Sequence, residues 1–432
     1  MKILLIGNGF DLEHDLPTSY RDFLAFCLRV RRIFTLEDEN LATYREKNID
    51  GWEIDTSIKK ALLAAFQSRN VRGIQQEAGS VTVNSATTQD ERLNEIYEHI
   101  RDNAWIDYFL NCSSLGENWI DFESEISRVI QSLDAGRVQL SHGTSIDVME
   151  KSEKNLLLAI LKSAKGNWKG AFDSVRTIDR FSERLLKDLE RLIRALEIYI
   201  AGFVREIEIT QKSPDIKNLC PDCILSFNYS NTYQRVYDPE KKLSYNYIHG
   251  KADMDRSVET SNLVLGIDEY LDTDRKNIDL EFLPFKKYYQ RIYKSTENAY
   301  LEWYDRIQAD DADYYRKVKL SETGKPDPLC SFPGQKRYYL SASSIKRHEH
   351  TLYIFGHSLD ITDRDVLRLL ICNDNVQTKI YYHRKSEQDK AALGGVIRNL
   401  VKIIGQDELI RRTGGAHKTI EFIPQTLRKP ES

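Results

Sequence analysis

The sequence predicts an α/β protein: a mostly parallel sheet, discontinuous along the chain and carrying large helical insertions. Three observations carry that expectation. Short apolar runs lie at both ends of the chain and again around residues 223–266. Several of these runs end on a glycine or a dense polar turn. The stretches between them have helical periodicity.

In chain order, Lys2 to Ile6 reads as a short buried strand ended by Gly7-Asn8-Gly9. Residues 19–33 have helical apolar spacing through Tyr20, Phe23, Leu24, Phe26, Cys27 and Val30, with Thr18 or Ser19 as cap and Pro17 just before. From 34 to 215 glycine and proline are sparse. Helices are expected at 55–68, 90–112, 117–134, 149–165 and 171–211, the last rich in Arg, Glu and Leu and suited to a long exposed or paired helix. Residues 69–89 read as a polar loop. Strand signals return at 223–227, 245–248 and 262–266. A charged, aromatic stretch follows at about 270–345, with helical segments and a loop near Gly324. The chain then reads as a strand at 351–356, a helix at 362–373, a strand at 377–383, a helix at 387–411 and a strand at 418–424. The expected division is a nucleotide-binding domain from 1–33, 216–270 and 346–432, a helical insertion at 34–215 and a second, smaller one at 271–345.

Bulk properties narrow the function. The 432 residues are 41% apolar and 30% charged, enough for a sizeable core under a charged surface. A net charge of -4 gives no electrostatic footprint for nucleic acid. There is no apolar stretch of transmembrane length, and the apolar start is too short for a signal peptide, so a cytoplasmic protein is expected. Of six cysteines only Cys220 and Cys223 have metal-like spacing, and no second pair completes a zinc site. No metal is expected.

In open α/β sheets ligands bind beyond the carboxyl ends of the strands, so the residues after each strand are the informative ones. The first turn, Gly7-Asn8-Gly9-Phe10-Asp11, allows close approach of a phosphate or ribose, and equally reads as an ordinary tight turn. In Ser226-Phe227-Asn228-Tyr229-Ser230-Asn231-Thr232, Asn228 offers both a donor and an acceptor for a ribose or a water, or caps a turn. His249, followed by Gly250, is placed for proton transfer, or is a hydrogen-bonded structural residue. Gly356-His357-Ser358-Leu359-Asp360 repeats the logic of the first turn, with Asp360 or Thr362 starting the next helix. On the helix beginning near Asn118, Asp121 and Glu123 are two apart and do not share a face, while Trp119 and Phe122 pack inward; Glu123 reaches a pocket rim, or the two acids simply lie in the first turn of a helix. These features together predict a nucleotide pocket in a Rossmann-like sheet.

The same segments resemble a known family. Leu5-Ile6-Gly7-Asn8-Gly9-Phe10-Asp11-Leu12 followed by Leu16-Pro17-Thr18-Ser19-Tyr20-Arg21-Asp22-Phe23 resembles the start of the AbiH family of bacteriophage abortive-infection proteins. Trp119-Ile120-Asp121-Phe122-Glu123, Ser226 to Thr232, Ile248-His249-Gly250, Leu265-Gly266-Ile267-Asp268 and Phe355-Gly356-His357-Ser358-Leu359 are similar to its later motifs. Asp15 stands where that family usually has glycine. The order of turns is also distantly similar to sirtuin-like domains, some of which hydrolyse NAD. That likeness implies a sirtuin-like sheet, Asn228 and His249 as the catalytic pair, and Gly7, Asn8, Gly9, Gly356 and Ser358 around phosphates and ribose. Phe10, Asp11 and Tyr229 join the expected cofactor contacts, with Asp121, Glu123 and Asp268 as pocket acids.

Three functions follow as expectations. The first is an antiphage enzyme hydrolysing the nicotinamide–ribose bond of NAD. The second is a sensor of NAD, ADP-ribose or a signalling nucleotide whose helical insertions carry the output. The third is a metal-dependent nuclease or phosphohydrolase, which would need Asp11, Asp121, Glu123 and Asp268 to converge. A phage-derived trigger and a homo-oligomer are the expected partners.

Overall fold

The computed structural model describes residues 1–35, 40–77, 88–113, 121–272, 274–328 and 340–427. Six strands form one sheet: β1 (Lys2–Ile6), β2 (Cys223–Ser226), β3 (Ser244–Tyr247), β4 (His350–Phe355), β5 (Val376–Tyr382) and β6 (Ile420–Pro424). Their order is β3-β2-β1-β4-β5-β6, and every pairing is parallel. β1 lies inside the sheet, with Ile3 opposite Cys223 on one side and Leu352 on the other.

The alternation of side chains along β1 feeds two apolar layers. Ile3 and Leu5 pack with Leu225, Leu352 and Ile354 against Leu367, Leu370, Leu400 and Ile403. Leu4 and Ile6 pack on the opposite face with Ile224, Phe10, Tyr233 and Phe355. A strand buried on both faces reads as a continuous apolar run, which is why these strands were legible.

The stretch between β1 and β2 is helical and supplies most of a second core, from Leu16 and Phe23 through Trp105 and Phe122 to Tyr199 and Phe203, which Leu263, Leu265, Ile267, Phe282 and Phe285 join from beyond β3. The helix Val175–Gly202 lies at its centre. Ser174 and Thr177 close a capping box at its start, and residues 192–202 are buried all round. Of the two expectations, exposed or paired, the second holds: the helix is packed among its neighbours, and Arg194, 1% exposed, bonds Glu95, Glu197 and the carbonyls of Asp253 and Met254.

Several expected elements shift. Residues 262–266 are not a strand. Leu263, Val264 and Leu265 are buried, but their backbone is satisfied elsewhere: Val264 N–H donates to His249 O, and Leu265 exchanges two bonds with the Gln290 amide. The apolar run was real, but the Gln290 side chain and a single backbone bond to His249, rather than a strand ladder, took its polar groups. The expected loop at 69–89 is helical as far as 77, within Thr56–Glu77, and 78–87 lies outside the described residues. The helix expected at 90–112 divides into Thr88–Ile100 and Ala104–Ser113, where Asp102 takes φ 52°. The one expected at 387–411 divides at Gly405, φ 89°, into Ala391–Ile404 and Gln406–Thr413. A helix at Leu41–Asn48 was not anticipated.

Candidate functional site

β1 pairs with β2 on one side and with β4, reached much later in the chain, on the other. The direction of strand progression therefore reverses between β1 and β4, the place where doubly wound sheets open a crevice. The two glycine turns meet there. A Cβ on Gly7 would lie 2.6 Å from His357 Cα, one on Gly9 2.8 Å from Gly356 Cα, and one on Gly356, φ +67°, 2.2 Å from Phe10 N. The glycines thus allow the two turns to pack against each other. Their donors are engaged as well: Gly7 N–H with Phe355 O at 3.1 Å, Gly9 N–H with Gly356 O at 2.7 Å, and Phe10 N–H with Gly7 O at 2.8 Å. Phe10 is core, between His14, Tyr233, Tyr237 and Phe355. Asn8 is exposed and accepts from Thr18 Oγ1 at 2.7 Å, and Ser358 is also exposed.

Beyond β2, Asp11 and Asn228 are buried. Asp11 Oδ2 accepts from Ser230 Oγ at 2.6 Å, while Oδ1 has no hydrogen-bond partner. Neither the Oδ1 nor the Nδ2 of Asn228 has one either, although the residue is 5% exposed. A buried amide with both ends unmatched is costly, by about 1–3 kcal/mol, and is the kind of group that awaits a ligand or water. Burial raises Asp11 to about 6, opposed by the Ser230 and Thr232 hydroxyls, the Arg235 charge and, more weakly, the Asn228 amide, which lies near the carboxylate without hydrogen-bond alignment. A small cleft of about 10 Å³ adjoins this turn, bordered by Leu16, Tyr229, Ser230, Thr232 and Arg235.

The other side of the same turn faces a buried charge network. Phe227 and Tyr229 flank His249, with ring centroids 5.4 and 6.4 Å away. Gly250, φ +78°, carries the chain past Asn262, whose carbonyl would lie 2.2 Å from any Cβ there. His249 Nε2 stands 3.1 Å from Asp363 Oδ1 without hydrogen-bond alignment. The same carboxylate oxygen accepts from Lys287 Nζ at 3.0 Å, and Lys287 also bonds Glu123 Oε2 at 2.7 Å and Thr362 Oγ1 at 3.0 Å. His357 completes the group. Its Nδ1 accepts from Leu359 N–H at 2.9 Å, which places the ring proton on Nε2, 3.4 Å from Asp363 Oδ2.

The network draws on every layer of the fold. His249 follows β3, and His357 follows β4. Asp360 caps the short turn Ile361–Asp363 by accepting from Thr362 N–H, and so aims Asp363. Lys287 begins the helix Lys287–Tyr293. Asp121 caps Phe122–Ser141, and Phe122 is held between Tyr20 and Phe109, stacked at 4.2 and 4.1 Å. That anchoring presents Glu123 to Lys287.

The electrostatics separate the roles. Burial, with Lys287 adding, pushes His249 down to about 4, so its imidazole is neutral near pH 7. Burial alone would raise Asp363, but Lys287 and then His249 outweigh it and hold the carboxyl well below the usual range. Burial raises Glu123 to about 7 against the pull of Lys287. Asp363 and Glu123 in turn overcome burial and hold Lys287 protonated. A neutral base, a fixed anion, a fixed cation and a carboxyl that changes charge near neutrality form an acid–base array.

Asn228 and His249 thus lie on adjoining strand ends, but their neighbours differ. Tyr229 is tied by its hydroxyl to Val264 O at 2.8 Å. Of the expected acids, only Glu123 enters the network. Asp121 is a helix cap, Asp268 is half-buried and electrostatically coupled to Lys287 and Asp363, and Asp11 pairs with Ser230. Among the described residues these four carboxylates form no metal-binding group. Trp119 lies outside the described residues. Lys287, Thr362, Asp363 and His357 were not foreseen as site residues. The sequence marked 360–363 only as a helix start, and Lys287 looked like any cation in a charged segment. Cys220 is exposed and Cys223 buried, its thiol pushed up to about 12 by burial.

Fold and site together define a parallel, doubly covered α/β protein with a buried acid–base cluster at the strand ends, to which Glu123 comes from the segment between β1 and β2 and Lys287 from the segment between β3 and β4. A family model described as bacteriophage abortive infection AbiH matches residues 3–383, and the chain belongs to that family. No curated protein and no solved structure matches the chain. No helix among the described residues is long and apolar enough to cross a membrane.

Proposed function

We propose that this abortive-infection protein binds NAD, or a related nucleotide, at the carboxyl ends of β1, β2 and β4 and hydrolyses the nicotinamide–ribose bond. One observation supports the reading above others: a buried Asn228 whose side-chain amide makes no hydrogen bond follows β2, and a buried neutral His249 backed by Asp363 follows the neighbouring strand β3. In this reading the Asn228 amide holds the ribose or the attacking water. His249 takes a proton from that water, the water oxygen bonds to the ribose C1′, and nicotinamide leaves with the pair of the broken C–N bond. Asp363 orients the imidazole and stabilises its charged form. Because the N–H groups of Gly7, Gly9 and Phe10 are already engaged, the side chains of Asn8 and Ser358 meet the phosphates and ribose, and the turns part to admit them. The sirtuin-like sheet, the cytoplasmic site of action, the phage-derived trigger and the homo-oligomer belong to the same proposal. Exposed Ile278, Leu280, Ile292 and Tyr293 on the smaller insertion offer apolar surface for an assembly.

The test is nicotinamide release by the purified full chain, followed by chromatography. Asn228→Ala and His249→Ala should each lower kcat by about 10²-fold or more. Undiminished turnover in the double variant removes the assignment. A second reading, a nucleotide sensor, is favoured by the insertions themselves, since Glu123 and Lys287 come from different ones and a ligand that disturbed their bond would move both. It predicts that ADP-ribose raises Tm in a chain that releases no nicotinamide.

A further inference from the structure

At the amino end of β4, across the sheet from the site above, lies a second cluster that no functional reading has used. His350 opens β4, His348 lies two residues earlier, and Asp310 comes from the helix Ala299–Thr323. One donor atom from each lies within 4.8 Å of the others. Asp310 Oδ2 is 3.1 Å from His350 Nε2 and 3.7 Å from His348 Nε2.

The independent observation is His350 itself. Its side chain is 1% exposed, and neither ring nitrogen has a hydrogen-bond partner, although a carboxylate oxygen stands 3.1 Å from one of them. Atoms that are close but not aligned for a hydrogen bond are what a shared central ion produces. Ligands 2.0–2.1 Å from a tetrahedral centre are about 3.3 Å from each other. The frame is rigid as well. Ile307, one turn before Asp310, is fully buried against the sheet and accepts from Asn375 Nδ2 at 2.9 Å, and Arg347 clamps the adjacent Asp311 at 2.6 Å. The charged neighbours besides Asp310 are the N-terminal ammonium and, more weakly, the exposed Arg306.

We propose that Asp310, His348 and His350 bind one zinc-like divalent transition-metal ion, with the fourth position taken by water. Two imidazoles and a carboxylate suit such an ion better than calcium or magnesium, which favour all-oxygen sites. The ion clips the long helix of the smaller insertion to the sheet, and its position at the amino end of β4 gives it no part in the chemistry at the carboxyl ends.

The experiment uses the untagged full chain, stripped with a chelator and titrated with Zn²⁺, with Co²⁺ as spectroscopic probe. One equivalent of Zn²⁺ should bind and raise Tm, and Co²⁺ should give tetrahedral absorption without a thiolate charge-transfer band. His348→Ala, at a residue exposed enough to leave folding intact, and Asp310→Asn should each weaken Zn²⁺ binding at least tenfold, and Cys220→Ser should leave it unchanged. No stoichiometric binding would mean that the histidines only form an ion pair with Asp310. That result overturns the proposal, as does affinity unchanged in both variants or a thiolate band from the Cys220–Cys223 segment.

Discussion

Asp15 takes the left-handed conformation, φ 57°, in the turn between Leu12 and Leu16. This explains in physical terms why the AbiH resemblance places glycine here: the position needs positive φ, and aspartate is among the few other residues that tolerate it. Asp15→Gly should stay within about 1 kcal/mol of the parent, whereas Asp15→Val should lose about 1–2 kcal/mol, measured as thermal midpoints. Asp11 makes a sharper case. Its folded pKa, near 6, exceeds the ordinary 3.8 because burial disfavours the anion. Its favourable contribution is therefore complete below pH 3.8 and is lost as pH rises through 6. Asp11→Asn removes that loss. The variant should gain on the parent by about 1–3 kcal/mol between pH 4.5 and 7.5, less whatever the Ser230 bond contributed. A Tm difference that stays flat across that range would show that Asp11 ionises normally.

Helix starts were legible only where the capping residue follows a clear turn: Ser19 accepts from Asp22 N–H, and Asp360 caps its short turn. Asp121 and Ser174 also cap their helices, but the expected helices at 117–134 and 171–211 had placed both inside. Breaks inside helical stretches depend on single residues with positive φ, such as Asp102 and Gly405, which apolar periodicity does not register. Residues 262–266 were misread for a different reason. Their composition fits a strand, and only the distant Gln290 and His249 decide that no ladder forms. The Asp121 cap also positions Glu123, so Asp121→Ala should lower stability by about 1 kcal/mol and weaken turnover together. Loss of stability with unchanged nicotinamide release would separate the cap from the site.

Across the whole molecule, the sheet was readable because each buried strand is a local apolar run, whereas the charge network was not. Glu123, Lys287 and Asp363 are far apart in sequence, and nothing in their immediate surroundings marks them as partners. Only tertiary folding joins them. Their coupling should be visible thermodynamically. Lys287→Met leaves Asp363 and Glu123 buried without their cation and should destabilise by about 3–5 kcal/mol. Adding Glu123→Gln should recover part of that loss, because one of the stranded carboxylates is then neutral. Equal Tm values for the single and double variants would argue against a shared network.

The placement of β1 has a consequence for how the chain is made. This inner strand pairs with β2, more than two hundred residues later, and with β4, about three hundred and fifty later. At ribosomal speeds of roughly 5–20 residues per second, β1 waits on the order of 20–70 s for its second neighbour. Most of the core of the helical block, from Leu16 to Ile207, has been made before β2 emerges, and the block can collapse in the interval. Nascent chains should therefore resist protease first within 88–113 and 121–203. Until β4 emerges, Lys2–Ile6 remains an unpaired apolar edge, the part of the young protein most in need of a chaperone.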